Sequence, residues 1–291
     1  MNEPAAAVPG DLLDELKHLA QQVATGAAQV LRQYSPALLR EVSTKSSPTD
    51  LVSEADRASE AYIVSELRSA RPSDSFVGEE GTSYSGASRV SWVADPLDGT
   101  TNFFFDVPAF SVSLAAQYDG RSVVGVVVDV SRQETWTAAA GRGAWCNGSP
   151  CHVASGRSVL ATALVATGFS YVPERRAEQA AVLRYLVPAV RDIRRFGSAA
   201  LDLCWVAAGR LDAYYESGLN AWDWAAGSVI CEEAGGELTM LQGNILLATT
   251  PELTGPLVGL LTDAQNAAAA QNDSGALEAP GSSPAGPPQR S

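Results

Sequence analysis

The sequence predicts a protein in two styles: an α+β half over residues 11–150 and an α/β half over residues 151–262. Three observations predict it. Two stretches near the start carry apolar residues at helical spacing. From Phe76 to Cys151 short apolar runs alternate with turn residues, the pattern of a meandering, largely antiparallel sheet. Beyond Leu160 strand and helix patterns alternate, as an α/β unit requires.

Residues 1–10 are rich in Ala and Pro and are expected to be disordered. From Asp11, a potential N-cap, Leu12, Leu13, Leu16, Leu19, Ala20 and Val23 recur on one helical face, and the pattern runs to about Gln33. The polar segment from Val42 to Asp50 reads as a hairpin or loop. A second helix is predicted from Ser53 to about Arg71, with Asp50 at or just before its start. Phe76-Val77-Gly78 is a short strand ending in Glu79-Glu80, and Val90 to Ala94 is a buried strand ending at Asp95. Pro96 lacks an N–H and fixes φ, so this strand is expected to stop there. Strands follow over Ala109–Ala115, Ser122–Val130 and Gln133–Ala139, and Asn147-Gly148 is a strong hairpin signal.

In the second half Leu160–Thr167 reads as a strand and Glu174–Pro188 as a helix. Asp192–Arg195 is a strand that turns through Gly197-Ser198 into a helix reaching about Gly209. Ala213-Tyr214-Tyr215-Glu216 is a strand ending in an acid. Asp223 stands at the start of a small-residue helix that ends near Gly235-Gly236. Two strands, near Glu237–Leu241 and Ile245–Ala248, and a helix over Pro251–Leu261 complete the half. Residues 263–291 decline into Ala, Gly, Ser and Pro and are expected to be disordered. No internal repeat is present.

Composition narrows the function. The chain has 291 residues, 46% of them hydrophobic, enough for a substantial core. No apolar run approaches the roughly 20 residues that span a bilayer, and the first residues do not read as a signal peptide, so a cytoplasmic protein without membrane contact is expected. The net charge of -13 argues against nonspecific nucleic-acid binding. Cys146, Cys151, Cys204 and Cys231 form no CxxC pair, and the two histidines are His18 and His152, so a Cys/His zinc site is not expected and the cysteines are read as free thiols.

The chemistry lies in the acids. Asp50, Glu79, Asp95, Asp98 and Asp223 each fall at a predicted strand end or helix start, where ligands of α/β proteins gather. Several carboxylates cannot all ionise unpaired in one site. A hard cation such as Mg²⁺ relieves that conflict and keeps positions for water and phosphate. Gly99 allows close backbone approach, and Thr100-Thr101-Asn102 offers donors to an anion. A pair of ions could stabilise both the attacking and the leaving oxygen of an in-line displacement.

Asp50, Gly78-Glu79-Glu80, Asp95-Pro96-Leu97-Asp98-Gly99-Thr100 and Trp222-Asp223-Trp224-Ala225-Ala226-Gly227 resemble the inositol monophosphatase family in order and spacing. Lys45–Asp50, Gly143–Gly148, Gly197–Asp202 and Ala213–Glu216 extend the resemblance over about residues 11–262, with the bacterial SuhB-type branch the most similar. The resemblance implies a layered αβαβα sandwich, as in the inositol monophosphatase and fructose-1,6-bisphosphatase type, and a homodimer. It implies that Glu79, Asp95 and the Leu97 carbonyl hold one Mg²⁺, that Asp95, Asp98 and Asp223 hold a second, and that a third, weaker ion joins near Glu79 with substrate. Asp50 and Thr100 would activate the nucleophilic water, with Glu79 also in the catalytic set. The Gly99 and Thr100 amides would hold the phosphate. Glu216 would accept hydrogen bonds from substrate hydroxyls beside Gly197, Ser198 and Ala199, and Glu80 would support the metal loop.

The implied activity is Mg²⁺-dependent, lithium-sensitive hydrolysis of inositol 1-phosphate or a related polyol phosphate. Histidinol phosphate, fructose 1,6-bisphosphate and a 3′-phosphonucleotide are rival substrates for the same chemistry. A regulatory binding protein of the transcription machinery, as among SuhB-type relatives, is the alternative of another class. Arg194-Arg195 before the substrate loop and the short Gln242-Gly243-Asn244 connection depart from the pattern and leave substrate identity open.

Overall fold

The computed structural model describes the backbone of residues 8–34 and 48–276, and the side chains of 8–34 and 54–270. Its helices and strands stack in five layers, α on β on α on β on α.

Helix α1 (Gly10–Gln33) and helix α2 (Pro48–Ala70) form the first layer. Leu13, Leu16, Ala20, Val23, Ala27 and Leu31 of α1 are buried at three- and four-residue spacing, the face that periodicity predicts. The residue at its N-cap is Pro9 rather than Asp11, and Asp11 lies in the first turn, where its charge complements the helix dipole. The polar loop read over residues 42–47 lies outside the described residues. Helix α2 begins at Pro48, five residues earlier than expected, with proline at a first-turn position that has no N–H to lose. Asp50 therefore sits in its first turn, at the helix start.

The second layer is an eight-stranded sheet in the order β2-β1-β3-β4-β5-β6-β7-β8. Its strands are β1 (Ser75–Gly78), β2 (Ser83–Tyr84), β3 (Val90–Asp98), β4 (Ser111–Tyr118), β5 (Arg121–Asp129), β6 (Glu134–Ala139), β7 (Ala144–Cys146) and β8 (Ser149–Cys151). All neighbours are antiparallel except β1 and β3. The two-residue loop between β7 and β8 has φ of 48° at Asn147 and 77° at Gly148, the left-handed pair that an Asn-Gly hairpin turn demands. One expectation fails. Strand β3 does not stop at Asp95 but continues to Asp98, because the register slips between Asp95, opposite Ser113, and Asp98, opposite Ser111. The extra residue makes a bulge, and a bulge tolerates the proline that a regular ladder would not.

Helices α3 (Thr100–Phe105), α4 (Pro173–Leu186), α5 (Ala199–Ala207), α6 (Ala221–Glu233) and α7 (Pro251–Ala276) follow in the chain. Helices α5 and α6 form the middle layer. Small residues set their depth: a Cβ on Gly125 of β5 would lie 2.2 Å from the Ala226 carbonyl oxygen, so α6 rests its backbone directly on the sheet. The fourth layer is a five-stranded sheet in the order β10-β9-β11-β13-β12, made of β9 (Leu164–Thr167), β10 (Asp192–Arg194), β11 (Ala213–Ser217), β12 (Glu237–Leu241) and β13 (Ile245–Thr249). Strands β10, β9 and β11 run parallel; β13 and β12 are antiparallel additions.

Leu160–Thr162, read as the start of a strand, is instead a 3₁₀ turn. The N–H groups of Thr162 and Ala163 bond back to Val159 and Leu160, and the Thr162 hydroxyl donates to the Val159 carbonyl at 2.9 Å. Helices α4 and α7 cover the outer face, where Leu186, Leu253, Leu257 and Leu261 close a core with Val165, Tyr215 and Leu247. Helix α7 was expected to end at Leu261, with disorder from residue 263, but it continues to Ala276. Ala264 and Ala268 are buried on its inner face, and the alanine-rich stretch has high helix propensity. All four cysteines are free thiols. No described helix is long and apolar enough to cross a membrane.

Candidate functional site

Parallel strands β1 and β3, and parallel strands β9 and β11, deliver their C-terminal ends to the same place as the starts of α3, α5 and α6. There a pocket of about 240 Å³ is lined by Glu79, Asp95, Leu97, Asp98, Gly99, Thr100, Gly197, Ala199, Glu216 and Asp223, among others. The bulge in β3 turns Asp95 and Asp98 toward one space although they stand three residues apart. The Asp95 carboxylate accepts the Leu97 N–H at 2.9 Å, which fixes the turn from within.

Each acid is held by a local device. Ser198 caps α5 and also donates its hydroxyl to Asp98 at 2.6 Å, and the Ala200 N–H donates to the same Asp98 oxygen at 2.8 Å. Asp223 is the third residue of a capping box with Asn220, whose N–H it accepts at 2.6 Å. Glu79 follows β1, and its loop is anchored by Glu60 of α2, which accepts the N–H groups of Glu80 and Thr82 at 3.1 and 3.2 Å. Gly78 makes room for this anchor, since a Cβ there would lie 2.2 Å from a Glu60 oxygen. Glu80 lies beside Glu60 and does not line the pocket. Tyr214 donates to Glu216 at 2.7 Å.

Electrostatically the site is short of positive charge. Asp95 is 1% exposed; burial, then the neighbouring charges of Glu79, Asp98 and Asp223, push its carboxyl well above the ordinary range. Burial raises Asp98 to about 7, against the pull of its Ser198 and Ala200 donors. Burial raises Asp223 to about 6, opposed by the Asn220 N–H. Glu79 is raised by burial and shares a hydrogen bond with Asp95. Two carboxyl groups in direct contact must share a proton, or a cation must take its place. An all-oxygen donor set fits a hard cation such as Mg²⁺ better than a soft one. Among the described residues no three acidic, His or Cys side chains form a ready-made cation cluster; the acids converge on the pocket while Glu79 and Asp95 engage each other.

The remaining residues expected at the site divide as follows. Gly99 has φ of 95°, and α3 begins directly after it with no side-chain cap on its first-turn N–H groups. Thr100 donates its hydroxyl to the Leu97 carbonyl at 3.0 Å, an engagement not foreseen for it. Gly197 has φ of 90° and borders the pocket, while Ser198 stands behind Asp98 rather than in the lining. The Asp50 side chain lies outside the described residues. Arg195 and Tyr171 line the pocket without having been assigned to it. Burial raises Glu216, opposed first by the Tyr214 hydroxyl and then by Arg195. The paired arginines were visible in the sequence, but not that the turn at Gly197 would aim the second one into the pocket. Behind the site, Asp202 of α5 is 1% exposed with an unpartnered oxygen, and burial pushes it well above the ordinary range.

The model of the inositol monophosphatase family matches residues 12–277. The chain is 43% identical over 234 residues to Inositol-1-monophosphatase SuhB of Mycobacterium tuberculosis, covering 76% of this chain and 81% of that protein. It is 46% identical over 201 residues to Nus factor SuhB of Pseudomonas aeruginosa, covering 67% and 74%. The solved structure of Mycobacterium tuberculosis SuhB superposes with a TM-score of 0.77 at 39% identity, covering 86% of this chain and 97% of that one. Inositol monophosphatase from Anabaena superposes at 0.76 and 34% identity, covering 87% and 97%.

Proposed function

Since this chain belongs to the inositol monophosphatase family, we propose that it is a Mg²⁺-dependent phosphomonoesterase acting on inositol 1-phosphate or a related polyol phosphate. The observation that carries the proposal is the convergence of Glu79, Asp95, Asp98 and Asp223 on one pocket beside the uncapped start of α3.

Glu79, Asp95, Asp98, Asp223 and the Leu97 carbonyl would hold two Mg²⁺ ions, with a third near Glu79. When bound, such ions supply Lewis acidity toward phosphate oxygens and offset the charge of the acids. The chain's own contributions are separate. The Gly99 and Thr100 N–H groups bind phosphate oxygens and orient phosphorus toward the acids. Asp50 and Thr100 orient the attacking water, Asp50 as proton acceptor. Glu216, held by Tyr214, accepts from substrate hydroxyls, and Gly197 and Ala199 shape the adjoining wall. Burial raises the Glu216 carboxyl, and the Tyr214 hydroxyl and then Arg195 pull it back down. With Arg195 already beside this acceptor, a hydroxyl-rich leaving group fits it better than a cationic or nucleotide one. The enzyme is taken to be cytoplasmic, homodimeric and sensitive to lithium.

A second reading, regulatory binding to the transcription machinery, is favoured by the name of the Pseudomonas aeruginosa relative. Retention of every pocket acid favours the enzyme. Released phosphate from a panel of inositol 1-phosphate, histidinol phosphate, fructose 1,6-bisphosphate and a 3′-phosphonucleotide, with Mg²⁺ titrated, separates the readings. Inositol 1-phosphate is expected to lead. A lead by histidinol phosphate would overturn the substrate assignment, and inactivity on all four would favour the binding protein.

A further inference from the structure

A second cavity, of about 450 Å³, lies beyond Glu216, and the segment Glu216-Ser217-Gly218 lines both it and the carboxylate pocket. The carboxylate pocket alone, at about 240 Å³, is smaller than the roughly 300–1,000 Å³ usual for small-molecule sites. The second cavity, which shares the wall Glu216-Ser217-Gly218, falls inside that range by itself. Resting on the phosphomonoesterase reading above, we propose that the second cavity is a subsite for a second hydroxylated ring, so that the preferred substrate is a glycosylated polyol phosphate.

The lining selects that chemistry. Val182 and Tyr215 give an apolar floor on which the C–H face of a sugar ring can rest. Gln179 and Gln265 stand at the edge, each fixed by its own hydrogen bonds: Gln179 accepts the Ser170 N–H at 2.8 Å and donates to the Ser217 hydroxyl at 2.9 Å, and Gln265 donates to the Gln242 carbonyl at 3.0 Å. Amides held in place in this way present their remaining valences to ring hydroxyls at little entropic cost. Arg175 lies over the shared wall, its Nη1 3.6 Å from where a side chain on Gly218 would begin, and it has no ion pair among the described residues. Glu178, one turn along the same helix, offsets its charge, and Glu216 adds another acid. A second phosphate would meet one arginine against two carboxylates. A neutral ring that both donates and accepts meets no such penalty. Because Glu216 forms the partition, the ring bearing the phosphate stays among the acids and its substituent passes into the second cavity.

The test compares kcat/KM for inositol 1-phosphate and for a glucosyl-inositol 1-phosphate, with saturating Mg²⁺, in the wild type, Arg175→Ala and Val182→Trp. One or two hydrogen bonds to a charged or fixed group predict a wild-type preference of roughly tenfold for the glucosyl substrate. Both variants are expected to bring the ratio toward parity while the inositol 1-phosphate rate stays within about twofold of wild type, a change small against that tenfold. Val182→Trp fills the cavity, and Arg175→Ala, on an exposed helix, leaves packing intact if the tryptophan is not accommodated. Equal wild-type rates on the two substrates, or a preference that survives both substitutions, would overturn the subsite while leaving the phosphatase standing. Inactivity on both substrates would overturn the two readings together.

Discussion

Gly125 does not line the pocket, yet the structure makes it a determinant of activity. A methyl group added there would lie 2.2 Å from the Ala226 carbonyl oxygen and 3.1 Å from the Ala226 Cα, both backbone atoms of α6. Neither can rotate away, so in Gly125→Ala the helix must retreat by about 1 Å to reach ordinary contact. Asp223 stands one turn before Ala226 on that helix and moves with it. A misplacement of this size costs on the order of 100-fold when it reaches reacting groups, and overpacking of this kind costs about 1–3 kcal/mol of stability. The assay is phosphate release from inositol 1-phosphate across a Mg²⁺ titration, with thermal unfolding of the same samples. Gly255→Ala in α7 is the control, because a Cβ there meets nothing within 4 Å. Gly125→Ala is expected to lose about two orders of magnitude in kcat/KM while remaining folded, and Gly255→Ala to lose nothing. A folded Gly125→Ala protein with wild-type kcat/KM would refute the idea that direct helix-on-sheet contact sets the position of Asp223.

Ser198→Ala removes both the cap of α5 and the hydroxyl donor to Asp98. It should weaken Mg²⁺ binding by about 10–100-fold, as loss of an outer partner of a ligand does, and cost about 1 kcal/mol of stability from the cap; the Mg²⁺ dependence of the rate and a denaturant titration read the two effects. The pocket acids also predict a pH dependence of the metal-free protein. Asp223 and Asp98 are raised from 3.8 to about 6 and about 7, so the folded state binds more protons than the unfolded one between those values. Stability from these groups is full below pH 3.8 and is lost as pH rises through about 6 and about 7. In EDTA the melting temperature should therefore fall from pH 5 to pH 8 on their account. Mg²⁺ should restore more at pH 8 than at pH 5, and calorimetry in buffers of different ionisation enthalpy should detect proton release on binding.

The pocket acids were legible because each sits where a pattern breaks: Glu79 after an apolar strand, Asp95 before a proline, Asp223 before a run of small residues. Local chemistry sufficed to gather them. The helices on a meandering sheet and the α/β half that follows were legible from the order of strand and helix patterns, their layered stacking only through the family resemblance, and the Asn147-Gly148 turn from its residues alone. What was missed depends on contacts between distant segments. The bulge that carries β3 through Pro96 is set by its register with β4. Arg195 and Tyr171 enter the pocket through turns whose direction no periodicity encodes. The contact of Gly125 with Ala226 joins residues far apart in the chain. Helix α7 passed Leu261 because two buried alanines, Ala264 and Ala268, continue a face that looked too weakly apolar to count.

Asp95 is raised by burial and then by the charges of Glu79, Asp98 and Asp223, and it is hydrogen-bonded to Glu79. The most direct measurement is therefore the turnover of Asp95→Asn on inositol 1-phosphate at saturating Mg²⁺, beside its melting temperature in EDTA. Replacing a ligand should cost more than the roughly 100-fold upper range for an outer-shell partner. The substitution removes a buried acid from a like-charged group, so the metal-free variant should melt no lower than wild type at pH 8. Loss of turnover in a stable, folded variant is the expected result. Near-normal turnover would contradict the assignment of this pocket as a Mg²⁺-dependent phosphatase site.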